Sequence, residues 1–503
     1  MNTKYSWPII VLILLPSLLF SQDGTLDTSF GDNGIVVTNF NVESDFGYTV
    51  AEQDNGRLVV VGASTHSVQG TEPLVLRFLS NGDIDNSFGT NGMVFTDYGD
   101  GYNRYEGVAF QSDGKIIAHG IIGNSPNRNF IAVRYLASGD LDSAFATNGI
   151  LTISQQDWVV SEMLVLNDDS LLLAGLTNND TSITFAHYMS DGTLDLNYGD
   201  SGYATSANPD GFFSLKQLKN LDNNTFMVLG TRDLENFTQT LLIKFLSTGY
   251  LETGFGDNGF AVHNYEMVSS DDFMSAGFDI TSNGKIVIGG SFGTCEGNSI
   301  PIFQPFLSRY SATGMLDPSF GNNGIVLLSA GNYIIKKIFN QQNGRLLVQG
   351  VLPDCFEGSV YKLHRYFSDG FPDSSFDDSN ILEFYDFDTI IQEDGKILGV
   401  GATWWYNGSE DVFLARYNND VLGVDDFSSY GFKVFPNPSE GIFNLSHTLT
   451  DFETIPYQVS DISRKIIQNG TLEGAHTQIN LSMAQSGMYF LKALNHTIRL
   501  IKN

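Results

Sequence analysis

Cysteine is nearly absent: the 503 residues hold two, Cys295 and Cys355. Neither a dense disulfide framework nor a CxxC metal site can be built from one such pair. Cations are scarce as well, with 26 Lys and Arg against 57 Asp and Glu and a formal net charge of −31. A chain this acidic repels phosphate backbones, which argues against nucleic acid as a partner. The acidity reads as a solvated surface, with divalent-cation binding as the minor alternative. Local enzyme signatures are missing: there is no HExxH, no GxSxG, no phosphate-cradling GxxxxGK[ST] and no GxGxxG opening a helix. Histidines are scattered (His66, His119, His187, His263, His364) and suggest no catalytic set. Apart from Ile9 to Phe20 the chain lacks a long apolar run. That run spans about a dozen residues, too short for a comfortable transmembrane helix. With Lys4 before it and Ser21 at its end, it reads as a signal peptide over residues 1–21. No cysteine stands near the cleavage point, so a lipoprotein anchor is not expected, and the mature chain carries no transmembrane segment.

What the chain does have is a repeat. The stretch GTLDTSFGDNG at Gly24 returns at Gly82, Gly139, Gly192, Gly249, Gly314 and, decayed, at Gly370. A spacing of about 53–65 residues marks stacked or radial repeat units. Around each copy four strands recur. An apolar hairpin turns on Asn55-Gly56, Asp113-Gly114, Asn283-Gly284, Asn343-Gly344 or Asp394-Gly395. These pairs favour a turn with positive φ at both central residues. Asp168-Asp169 and Asn223-Asn224 stand there in the third and fourth repeats. A third, alternating strand carries Arg77, Arg134, Lys244, Arg309, Arg365 and Arg416 on comparable faces, which reads as structural ion pairing rather than an anion site. A fourth follows the motif.

Four short strands per unit with no helical pattern predict an all-β fold, a seven-bladed β-propeller over residues 22–420. The first motif and residues 34–40 precede the first hairpin, and the last repeat stops after its third strand near Tyr417. The N-terminal strand is therefore expected to complete the last blade and close the ring. The shared pattern, ARY-x-x-x-G-x-LD-x-SFG-x-x-G with DGK-I hairpins, resembles the delta-60 repeat family over about residues 24–420. That resemblance implies a propeller-like fold and no common reaction.

Residues 421–431 form a polar linker, and residues 432–503 carry six or so short alternating strands, a small Ig-like β-sandwich. Pro436-Asn437-Pro438, Asp461, Gly487-Met488-Tyr489 and Lys502 make this tail resemble the type A sorting domain of the type IX secretion system. Ser463 stands where that family usually has Gly. The resemblance implies type IX machinery as partner, passage through the periplasm and outer membrane, and a secreted or surface-held product.

Residues repeated in every unit belong to the scaffold. The motif aspartates (Asp27, Asp85, Asp142, Asp195, Asp317, Asp373, with Glu252 in the remaining copy) read as turn caps. Calcium loops are the minor alternative for them, and otherwise no cofactor is expected. Asp83-x-Asp85-x-Ser87 has its Gly one place late and lacks the bidentate Glu. Variable loops after strands two and four share one face, where function is expected. They hold Trp404, Trp405, Tyr406, Trp158, Tyr102, Arg104, Tyr105 and Arg128 as candidate ligand contacts, and also Phe212, Phe213 and Tyr265. Packing over the channel is the competing role for these side chains. Cys295 and Cys355 take equivalent loop positions in neighbouring repeats and are candidates for a disulfide, provided their Cα atoms approach within about 7 Å. The expected function is a secreted or surface binding module for a glycan or protein. The alternatives are a secreted glycan-active hydrolase or lyase with a channel-centred carboxylate pair, or a structural or adhesion protein.

Overall fold

The computed structural model describes residues 23–38, 44–66, 70–125, 127–154, 158–177, 182–207, 212–221, 225–234, 237–264, 273–294, 302–328, 332–341, 343–352, 360–378, 381, 385–403, 410–419, 433–435, 439, 441–446, 456–461, 465–472, 476–493 and 496–502. Every regular element within them is a β-strand. The signal segment, the linker 421–431, Cys295, Cys355, Trp404, Trp405, Tyr406, Tyr265, Pro436, Asn437 and Pro438 lie outside the described residues.

Seven sheets follow one another before the C-terminal region among the described residues, antiparallel except where Gly101–Tyr102 pairs in parallel with Gly70 and Thr71 of the first. Each starts from an inner strand: Asp45–Glu52, Arg104–Phe110, Trp158–Val165, Phe212–Asn220, Phe273–Ile280, Ile334–Asn340 and Tyr385–Ile391. Hairpins add the second and third strands outward, and a fourth follows in all but the sixth sheet, where three strands are described. The seventh sheet takes its fourth strand from the start of the chain. Ile35–Thr38 lies antiparallel to Asp411–Tyr417, with Ile35 opposite Ala415 and Thr38 opposite Val412.

Apolar clusters fill the gaps between consecutive sheets, as where Leu172 and Phe185 of the third meet Phe213 and Phe226 of the fourth. The last-to-first gap is filled in the same way, Leu398, Val400 and Leu414 packing with Val60, Leu74 and Leu76. The sheets therefore close into a propeller. Second strands are covered on both sides. Leu58, Val59, Val60 and Val61 are all buried, so these strands read as continuous apolar runs rather than alternating ones.

Two local features explain how the sequence makes these blades. The first hairpin turn differs from the expected one. Only the glycine takes a positive φ, +75° at Gly56, while Asn55 does not. The Gly56 N–H donates to Gln53 O at 2.7 Å and the Gln53 N–H to Arg57 O at 2.8 Å, a longer loop closed by one left-handed residue. Asp169 fills that place in the third sheet at φ +65°. The second feature is a bulge in each inner strand, as between Gly47 and Thr49. Gly62 on the second strand faces it, and the Phe46 carbonyl lies 1.8 Å from where a Cβ on Gly62 would stand, so only glycine fits.

The repeated motif builds a staple. Asp85 Oδ1 accepts from the Ser87 N–H at 3.0 Å and the Ser87 hydroxyl at 2.6 Å. Its Oδ2 accepts from Arg77 Nε at 2.8 Å and Arg57 Nε at 3.0 Å. The Arg77 guanidinium lies 4.5 Å from the centre of the Phe88 ring. Its Nη1 crosses to the next sheet and donates to Ala137 O at 2.5 Å. Arg134 reaches Ser190 O at 2.5 Å, Arg309 reaches Ser368 O at 2.7 Å and Arg416 reaches Ser80 O at 2.6 Å. Each of these guanidinium groups thus caps its own turn, stacks on its own Phe and ties its sheet to the following one.

The C-terminal region folds by itself into two sheets. One orders Lys433–Phe435, Ile442–Ser446 and His476–Asn480, and the other Ile466–Thr471, Pro456–Asp461, Gly487–Ala493 and His496–Lys502. Phe443, Leu445 and Ile479 of the first share a buried core with Tyr457, Val459, Leu491 and Leu500 of the second. Lys502 Nζ donates to the Ser482 carbonyl at 3.0 Å and to that of Ala484. Tyr489 is buried and donates its hydroxyl to Gln485 O at 2.6 Å, while Asp461 Oδ1 accepts from the Lys465 N–H at 3.0 Å. Gly487 opens the strand that carries Tyr489.

Candidate functional site

The loop-face candidates separate once placed. Tyr105 is fully buried. Its hydroxyl bonds that of Tyr135 at 2.7 Å and lies 3.3 Å from that of Tyr98, so it is a core side chain with no surface for a ligand. Trp158 is 8% exposed and packs edge-on against Tyr203 at 5.8 Å, beside Gly175. Phe213 is likewise buried. These aromatics lie on inner strands, where their rings seal the gaps between sheets. Tyr102 is 61% exposed. Arg104 is half-buried and pairs with Glu106 at 2.7 Å, and Arg128 is half-buried. Among the described residues only Tyr102 and these two arginines keep accessible surface from that set.

The inner strands carry chemistry that the motifs did not reveal. Neighbouring inner strands are bridged by polar side chains: Gln217 Oε1 accepts from the Phe278 N–H at 2.7 Å, and Asp279 Oδ2 from the Asn340 N–H at 2.7 Å. Lys219 pairs with Asp279, and Lys337 with Asp388. Glu162 follows the bulge of the third inner strand, the place that Gln217 and Lys337 take in the fourth and sixth. Burial pushes its carboxyl up. The Lys337 ammonium opposes this, the Glu106 carboxylate reinforces it, and the result is about 7. Lys337 belongs to the sixth sheet, on the far side of the ring, so this coupling runs across the central channel.

Among the described residues two cavities open at the ends of the inner strands, on the face of the motif turns. The first, about 410 Å³, is lined by turn residues of three successive sheets, among them Asp54, Asn55, Gln111, Ser112 and Asn167. Ser112 there donates its N–H and hydroxyl to the Asp169 carboxylate at 2.6 and 2.5 Å. The second, about 720 Å³, lies between the fourth and fifth sheets, with Lys219, Asn220, Lys244, Glu252 and Asp279 in its wall. Asn167 borders both. Among the described residues no three His, Cys, Asp or Glu side chains converge as a metal site. No helix among them is long and apolar enough to cross a membrane.

Two family models match parts of the chain. A family described as a secretion system C-terminal sorting domain matches residues 433–503. A second, described as a domain of unknown function (DUF5122) beta-propeller, matches residues 53–88, 111–145, 281–320 and 392–420. No curated protein matches the chain. Similar solved structures include a polysaccharide lyase at 11% identity and a TM-score of 0.42, covering 74% of this chain and 90% of that one. An alpha-L-arabinanase from Penicillium chrysogenum complexed with arabinobiose is 13% identical with a TM-score of 0.37, covering 63% and 92%. A Dyadobacter fermentans protein of unknown function is 10% identical with a TM-score of 0.37, covering 76% and 98%. The chain joins DUF5122 β-propeller repeats to a type IX sorting domain, and is a secreted or surface-displayed β-propeller protein.

Proposed function

We propose that the seven sheets form a seven-bladed propeller, closed by the N-terminal strand and followed by an Ig-like sandwich, that works as a binding module for a glycan or protein. The binding face is the motif-turn mouth of the channel rather than the loop face. One observation carries this choice: both cavities are built from the same tier of turns and share Asn167. Concave, partly polar hollows on a rigid scaffold are where ligands are held. The test is a screen of purified mature protein on glycan and peptide arrays, repeated with Asn167→Trp and with Trp404→Ala. Asn167→Trp fills the shared rim and is expected to abolish the signal, while Trp404→Ala leaves it. The reverse pattern moves the site to the loop face.

The second reading is a secreted glycan-active hydrolase or lyase, favoured by the Glu162 carboxyl at about 7 beside Glu106. A carboxyl in that range can hold or take a proton near neutral pH. Mass spectrometry of array hits for cleavage products decides between the readings. Products lost in Glu162→Gln support the enzyme, and intact ligand supports the module.

A further inference from the structure

The arginine of the staple is replaced in two sheets, by His187 in the third and Lys244 in the fourth, and of these only the fourth has no contact between that side chain and the motif carboxylate among the described residues. Where the first repeat has Arg57, Arg77 and Asp85, the fourth has Thr225, Lys244 and Glu252. Arg57 and Arg77 both bond Asp85 at 3.0 Å or less. Among the described residues Lys244 Nζ and the Glu252 carboxylate make no ion pair, with each other or with any other group. The third repeat, by contrast, keeps the contacts within its own sheet, with His187 Nδ1 at 3.0 Å from Asp195 and Nε2 at 2.9 Å from the Ser170 hydroxyl.

The consequence is spatial. In the first, second, fifth and seventh sheets the guanidinium crosses to a carbonyl of the next sheet's turn, that of Ala137, Ser190, Ser368 or Ser80. The matching residue after the fourth repeat is Ala312, and it lines the 720 Å³ cavity together with Lys244, Glu252 and Thr225. The cavity therefore occupies the space that the missing arginine would fill. Asn220 Oδ1, in the same wall, is buried with no hydrogen-bond partner among the described residues. Met227 and Ile286 supply an apolar floor.

We infer that this cleft is a binding subsite for a short peptide segment carrying both charges. A carboxylate seats on Lys244, an ammonium group on Glu252, and a peptide N–H donates to Asn220 Oδ1. Two unpaired opposite charges in one cleft call for a ligand that supplies both partners and is itself neutral. Such a ligand avoids the repulsion that a polyanion meets from a chain of net charge −31. The volume lies within the range of small-ligand sites, about 300–1,000 Å³. The inference rests on the motif-turn mouth being the binding face.

The experiment is titration calorimetry of the purified full-length mature protein with trialanine, free at both termini, and with its N-acetylated and C-amidated forms. Either block is expected to weaken binding about tenfold, the scale of one lost charged contact. In Glu252→Gln the N-acetyl block is expected to cost nothing further, and in Lys244→Gln the amide block likewise, as a closed mutant cycle requires. The triple variant Thr225→Lys, Lys244→Arg, Glu252→Asp rebuilds the staple and is expected to lose binding while melting at a higher temperature. If that variant does not fold, the two single variants still decide. Equal binding by blocked and free peptides, preference for an oligosaccharide, or no binding to any probe overturns the inference. Loss in Asn167→Trp without any effect of Lys244→Gln keeps the face and removes the cleft; full binding by Asn167→Trp removes the face itself.

Discussion

Arg416 and Asp27 stand 389 positions apart in the chain, yet Arg416 Nε lies 2.9 Å from Asp27 Oδ2. Arg416 also stacks on Phe30 at 4.4 Å and donates to Ser80 O at 2.6 Å. One guanidinium therefore holds the N-terminal strand on the last sheet and the last sheet on the first.

Removing one partner of this buried pair leaves the other charge uncompensated, at a cost of about 3–5 kcal/mol. Asp27→Ala and Arg416→Ala are each expected to lower the unfolding free energy measured by urea titration by that amount. The double variant is expected to cost less than the sum, because neither charge is then left alone. Strict additivity would mean the two residues act separately.

Acid should undo the staples. Burial raises the Asp85 carboxyl, but the Ser87 hydroxyl and amide and the Arg77 and Arg57 guanidinium groups outweigh it and hold it at about 2. Asp27, Asp317 and Asp373 are also depressed, each by its motif serine and its cations against the opposing effect of burial. A carboxyl depressed on folding contributes stability that is complete above its unfolded value, near 4, and lost as pH falls through the folded value. In a Glu162→Gln background, which removes the opposing effect of that raised carboxyl, the melting temperature is expected to hold from pH 7 to pH 5 and to fall steeply below pH 4. In Asp85→Asn the wild-type loss is present at every pH, so its curve starts lower and falls less. A melting temperature that stays level to pH 2 would contradict the account.

Glu162 should behave in the opposite sense. Its carboxyl is raised on folding to about 7, so the stability linked to its proton is present below its unfolded value and lost as pH rises through 7. Glu162→Gln is expected to match wild type at pH 4 and to melt higher at pH 8. Carbon NMR of the labelled carboxyl, titrated from pH 4 to pH 9, gives the midpoint directly, and a midpoint near 4.5 would contradict the rise on burial.

The sequence made the local parts of this fold readable. The hairpins announce themselves at Gly56 and Gly114 because one residue must take a positive φ, and the motif aspartates stand beside the serines they bond. The strand-three arginines were readable as ion-pair formers because Arg77 and Asp85 lie in one short stretch. Their reach into the next repeat was not, since nothing in the spacing ties Arg77 to Ala137. Tyr105 and Trp158 look like loop aromatics because they fall between a motif and a hairpin, but the inner strand begins earlier than that pattern suggests. The glycine at Gly62, repeated at Gly120 and Gly175, was the available signal for the inner-strand bulges. Glu162 and Lys337 are 175 positions apart, and only ring closure relates them. Lys244 and Glu252 were visible as a departure from the repeat, though not the hollow they leave.

Export depends on the tail. Deleting residues 433–503, the span matched by the sorting domain, is expected to leave the propeller folded but retained in the periplasm. Lys502→Ala, which removes the side chain that ties the last strand to Ser482 and Ala484, is expected to lower the export yield. Cell fractionation with immunoblotting reads both, and normal surface delivery of the deleted chain would contradict the assignment.

The most direct measurement on the binding face is hydrogen–deuterium exchange of the mature protein, free and saturated with whichever array ligand binds. The account predicts slowed exchange in the turns around Asp54-Asn55, Gln111-Ser112 and Asn167 to Asp169, with the segment around Trp404 unchanged. Protection confined to the Trp404 to Tyr406 loop, with those turns unaltered, would contradict it.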